Sequence, residues 1–146
     1  MEFATDNLIA RVLLTVATLG YTLVLVVVDF GKTHATNPLW TPHARFHVVW
    51  QVMSYCGIGL IALWLMWSAG PVSKLYLAVA LTAAVYAGFF VTAFAMKLFD
   101  GALLDVNGVP PITTINLGGK PVQIDANVTA FGAMFVLTAI AAVMIR

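Results

Sequence analysis

The sequence predicts an all-α integral membrane protein: a single four-transmembrane-helix bundle over residues 1–146, with a short β-hairpin in the loop between helices 3 and 4. Three observations predict this class. The chain is 62% hydrophobic and 9% charged, with a mean hydropathy of +0.98, so it has too few polar residues to cover a soluble globule. It contains four apolar runs close to the ~20 residues that one helical crossing needs. Backbone amides in lipid must be paired within the segment, which makes runs of that length helices.

The expected spans are about 8–30, 42–68, 74–98 and 127–146. The lead MEFATDN is acidic and lacks the basic region of a cleaved signal, so the first span is expected to remain as an anchor. Thr5, Asp6 and Asn7 are its candidate caps. Thr15, Thr18, Tyr21 and Thr22 lie within this span, where hydroxyls bond back to the helix or across to a neighbour and mark an interface. Asp29 closes it, and Gly31 suits a helix C-terminus.

Helix 2 has a well-defined entry. Thr41-Pro42 combines an N-cap residue with proline at the first helical position. His43 and His47 are then four apart on one face. That face continues through Trp50 or Gln51 to Ser54, a polar stripe fading at Gly57 and Gly59. The Ser68–Lys74 link, with Gly70-Pro71 inside it, is a tight turn that makes helices 2 and 3 an antiparallel hairpin. Ala80, Ala84 and Gly88 recur every four residues in helix 3, a spacing that allows close helix packing.

About thirty residues between Met96 and Val128 form a loop long enough to be functional or structured. Within it, the β-prone runs from Ile112 to Leu117 and from Pro121 to Ile124 flank Gly118-Gly119 and predict a hairpin. Four crossings put both termini and the 68–74 turn on one side, with the histidine loop and the long loop on the other. The loop is therefore expected to cover the histidine region as a lid.

All three histidines of the chain, His34, His43 and His47, fall between Asp29 and Gln51. Ionisable groups within a span are expensive unless they converge on something, which makes this stretch the candidate site. Asp29 and His47 are the candidate catalytic pair, because a carboxylate and an imidazole transfer protons. His34, Asn37, Arg45, Gln51, Tyr21 and Tyr55 are candidate ligand-binding residues, and Tyr86 is a further hydroxyl within a span. His34, His43, His47 and Asp29 form a candidate set for a divalent metal, Zn or Fe, since neutral imidazole suits such ions.

Each residue also has a plainer reading. His43 can sit solvated at the interface, and Arg45 can snorkel to headgroups. Trp40, Trp50, Trp64 and Trp67 fit aromatic belts, and Asp29 can pair with Lys32 or Arg45.

The function expected is binding, with the means to transform, a small lipophilic molecule of sterol, quinone or isoprenoid type at one membrane face. Such pockets are mostly apolar with a few placed polar groups. The alternative is a non-catalytic accessory subunit of a larger membrane complex; membrane lipid and a second copy of the chain are further expected partners. No basic cluster is present to neutralise phosphates, which argues against nucleic acid. Cys56 is the single cysteine and has no intrachain disulfide partner. The Lys and Arg count does not decide orientation, since Arg11, Lys74 and Arg146 face Lys32, Arg45, Lys97 and Lys120; a bacterial inner membrane with cytoplasmic termini is the expectation.

The string from Asn37 to His47, NPLWTPHARFH, resembles the loop of small uncharacterised bacterial four-span membrane proteins, a resemblance that implies the four-span layout and no particular activity. The layout, with Asp29 ending the first helix and a polar cluster opening the second, is similar in architecture to the EXPERA sterol-binding and sterol-isomerase group. That group uses acidic residues in its second helix, where this chain carries His47 and Gln51.

Overall fold

The computed structural model describes residues 7–107 and 113–146. Its four long helices are α1 (Leu8–Asp29), α2 (Pro42–Trp67), α3 (Ser73–Ala95) and α4 (Ala126–Met144). Each is long and apolar enough to cross a membrane, the third with the 3-10 turn Met96–Leu98 that follows it. At 1.5 Å per residue, α1 is about 33 Å long and α4 about 28 Å, matching the hydrocarbon thickness. β1 (Thr113–Leu117) and β2 (Lys120–Ile124) pair antiparallel, with Thr113 opposite Ile124 and Leu117 opposite Lys120. Gly118 and Gly119 both take positive φ at the tip, which glycine adopts without steric cost. The expected first strand began at Ile112, which lies outside the described residues, as do the candidate caps Thr5 and Asp6.

Helices adjacent in sequence are adjacent in space, and α4 closes onto α1. The ends confirm the up-and-down path. Asn7 Nδ2 donates to the Arg146 carbonyl at 3.1 Å, and Arg146 N donates to Asn7 Oδ1 at 2.7 Å. Asn7 is thus a clasp between the ends of α1 and α4 and makes no side-chain cap. Thr41 caps α2 as its sequence position implies, its Oγ1 accepting from Ala44 N at 3.2 Å with Pro42 at the first helical position. Asp125 caps α4, its Oδ1 accepting from Val128 N at 2.9 Å. Lys74 donates to Ser68 Oγ and to the Ala69 carbonyl, both at 2.8 Å, and lies 4.6 Å from the Trp64 ring. These contacts hold the 68–72 turn.

The core has two storeys. Near the termini, Ala10, Leu14, Leu65, Met66, Leu75 and Ile145 pack together. In the other half, Ala17, Tyr21, Leu25, Val52, Val85 and Tyr86 do so. Polar groups cross the bundle between α1 and α3. Thr18 and Thr82 are hydrogen-bonded at 3.2 Å, and the Tyr86 hydroxyl donates to the Ala17 carbonyl at 2.5 Å. The span-1 residues Thr18, Tyr21 and Thr22 are therefore interface residues, as expected, while Thr15 accepts from Trp67 Nε1 at 3.0 Å.

The small-residue stripe of α3 is a correction. Ala80, Ala84 and Gly88 are exposed, and a Cβ at Gly88 would meet nothing within 4 Å. Leu75, Ala78, Thr82, Val85 and Tyr86 take the inward face instead, where Thr82 and Tyr86 hydrogen-bond across to α1; in lipid such packing and polar contacts, rather than removal from water, decide which face turns inward. The close helix approach occurs elsewhere, at Gly59 of α2 against Thr22 of α1.

Candidate functional site

The expected histidine site is divided in two. His43 and His47 occupy the exposed face of α2, with their Nε2 atoms 3.0 Å apart and their rings edge to face. Phe46 and Trp50 flank them, also exposed. The i, i+4 spacing was legible and correct, but the face it occupies is the outer one. His47 is hydrogen-bonded to His43, and among the described residues the ion pair of Asp29 is with His34 and not with His47. The two groups expected as a catalytic pair are not brought together. Among the described residues no three of His, Cys, Asp and Glu cluster as metal ligands, so the set His34, His43, His47 and Asp29 is not assembled.

The imidazole beside Asp29 is that of His34. After Asp29 the chain folds back on itself: Ala35 N donates to the Asp29 carbonyl at 2.8 Å, and His34 N donates to the Gly31 carbonyl at 3.2 Å. This tight return puts His34 Nδ1 3.8 Å from Asp29 Oδ1 and in a 2.8 Å hydrogen bond with Thr33 Oγ1. The Trp40 ring meets His34 edge to face at 5.1 Å. Asp29 is 8% exposed, and among the described residues no hydrogen bond reaches its carboxylate. A buried carboxylate left in that state is costly unless something else meets it.

Both side chains line a cavity of about 590 Å³ between α1 and α4. Its wall is apolar along Val16, Leu23 and Val24 of α1 and Ala130, Phe131 and Met134 of α4. Its polar end is Asp29, His34, Gln51 and Asn127. A second space of about 610 Å³ adjoins it, sharing His34, Gln51, Phe89, Asn127 and Phe131 as lining. This second space is bounded by Trp40, Tyr55, Asp100 and Asp105, among others.

Of the expected ligand-binding residues, His34, Gln51 and Tyr55 line these spaces, and Asn37, Arg45 and Tyr21 do not. Asn37 is 3% exposed; its amide donates to the Asn107 carbonyl, and its Oδ1 accepts from Leu39 N at 3.0 Å. It ties the histidine loop to the long loop. Arg45 has a buried Nε with no hydrogen-bond partner among the described residues. Tyr21 is fully buried in the core, edge to face with Tyr55 at 6.2 Å and Tyr86 at 5.7 Å.

The lid is also redistributed. Residues 100–105 line the adjoining space, whereas the strands of the hairpin are exposed along almost their whole length. Asn127, Phe89 and Phe131 escaped the sequence reading. Asn127 had one signal, since it follows the Asp125 cap in the first turn of α4, on the same side of the bundle as Asp29.

The chain matches no family model, and no curated protein or solved structure matches it either.

Proposed function

We propose that this protein binds a small lipophilic molecule carrying one polar group, held in the cavity between α1 and α4. One observation carries the reading: the Asp29 carboxylate, its side chain 12% exposed and without a hydrogen bond among the described residues, sits at the polar end of a cavity of about 590 Å³ whose remaining wall is mostly apolar. Pockets for lipophilic ligands have this composition, an apolar body with a few polar groups that fix orientation. Asp29 supplies an acceptor, His34 a ring nitrogen, and Gln51 and Asn127 amides of both kinds. The exposed α1 residues Val16, Leu23 and Val24 give the cavity an apolar flank open towards lipid, so the ligand enters from the bilayer.

Mild solubilisation, organic extraction and mass spectrometry test this. A lipophilic species should co-purify near one per chain and be depleted in Ala130→Phe, which fills the cavity from α4. Extracts of the wild type that contain only bulk lipid, in the same proportions as the variant's, would sink the reading.

A further inference from the structure

The two adjoining spaces carry a one-sided set of charges, which identifies the head group they accept. Asp29, Asp100 and Asp105 line them, and neither Lys nor Arg does. Carboxylates and phosphates are recognised by Arg forks, Lys ammonium groups or free helix N-termini. The nearest helix N-terminus, that of α4, is already occupied by the Asp125 carboxylate. An anionic head would therefore meet Asp29 in the first space or Asp100 and Asp105 in the second, with only the His34 imidazole, common to both, to receive it.

A cation meets different surroundings. The Asp29 side chain is 12% exposed, and its closest charge partner among the described residues, His34 Nδ1, is at 3.8 Å, beyond hydrogen-bond reach. Its carboxylate is thus free to accept from a donor in the cavity. Trp40, Tyr55, Phe89 and Phe131 add aromatic faces to the lining, and such faces attract ammonium groups. From Asp29 the apolar wall follows α1 back to Val16, a run of about 20 Å at 1.5 Å per residue, which suits an extended chain.

We propose that the ligand is a cationic amphiphile, with a protonated or quaternary amine seated at Asp29 where Phe89 and Phe131 join the lining, and an apolar chain lying along α1 towards Val16. The proposal rests on the lipophile-binding reading and narrows its head group from any polar group to a basic one.

Three probes of one chain length test it: dodecyltrimethylammonium, dodecanol and dodecanoate. Each is titrated into protein in zwitterionic-lipid nanodiscs, with empty nanodiscs as the partition blank and tryptophan fluorescence as the readout. The ammonium should bind at least tenfold more tightly than the carboxylate, and Asp29→Asn should bring the two within about twofold. Asp100→Asn and Asp105→Asn, in a loop outside the helical core, should each reduce the preference and keep the test valid if Asp29→Asn does not fold. Equal or tighter dodecanoate binding overturns the charge assignment, as does a preference unchanged in all three variants. Dodecanol binding with no ammonium preference leaves the cavity reading standing and overturns this one. Failure of all three probes to exceed the blank removes both.

Discussion

Gly59 of α2 lies so close to Thr22 of α1 that a Cβ at position 59 would overlap Thr22 Cγ2, with Thr18 Cγ2 at 3.5 Å. The absence of a side chain at 59 is what lets α2 lean on α1 at the level of Thr18 and Thr22. Gly59→Ala should therefore destabilise the bundle by about 1–3 kcal/mol, the usual range for overpacking, even though Ala is the better helix former. Adding Thr22→Ala removes the clashing methyl, so the double variant should recover most of the loss. Thermal unfolding in detergent measures both. Additive losses in the double variant would show that the contact does not set the spacing.

A second prediction concerns the diagonal of the bundle. The hydroxyls of Thr18 and Thr82, both 0% exposed, bond at 3.2 Å. Thr82→Val keeps the shape and deletes one partner, so stability should fall by about 1 kcal/mol. The paired change Thr18→Val with Thr82→Val should cost less than the sum of the single changes, because neither threonine hydroxyl is then left facing a methyl. A full sum would remove the hydrogen bond from the account of the core.

The spans, the Thr41-Pro42 entry and the hairpin were legible because each is local: hydropathy, a cap and a pair of glycines report on their own segments. The face of α2 was not. His43 and His47 share a face in any helix, but which way that face turns depends on where α1 and α3 pack, and both neighbours lie on the side of Val52, Gly59 and Ala62. Cost arguments coupled Asp29 with His47 as a proton-transfer pair and with His34 only in a metal set, whereas the imidazole 3.8 Å from Asp29 is that of His34. His34 reaches Asp29 through the tight turn after α1, whose hydrogen bonds from Ala35 and His34 no periodicity encodes. Asn127 joins the site only through the closure of α4 onto α1.

Because the outward pair is separate from the cavity, His47→Ala should leave lipophile binding unchanged and shift stability by no more than about 0.5 kcal/mol, as exposed substitutions usually do. Co-purified ligand per chain and the unfolding midpoint are the measurements. Loss of ligand in this variant would return His47 to the site and contradict its outward placement.

Asn37 makes the opposite case, outside the cavity lining yet necessary to its boundary. Its buried amide spans from the histidine loop to the Asn107 carbonyl while its oxygen holds Leu39 N. Asn37→Ala should cost about 1 kcal/mol, since the change removes two part-buried hydrogen bonds whose backbone partners lie on exposed residues. It should also speed proteolytic cleavage between residues 100 and 107. Wild-type cleavage rates in this segment would break the link between the two loops.

The hairpin permits a deletion. β1 and β2 are exposed along almost their whole length, while the adjoining segment that borders the cavity is 100–105. A two-stranded hairpin of this size is marginal by itself and contributes little when it buries little. Replacing residues 113–124 with a short Gly/Ser linker should therefore keep the melting temperature within a few degrees and leave probe binding unchanged, because loop-closure entropy varies slowly with length. Binding lost together with the hairpin, at unchanged melting temperature, would identify the hairpin as the lid and transfer that role away from residues 100–105.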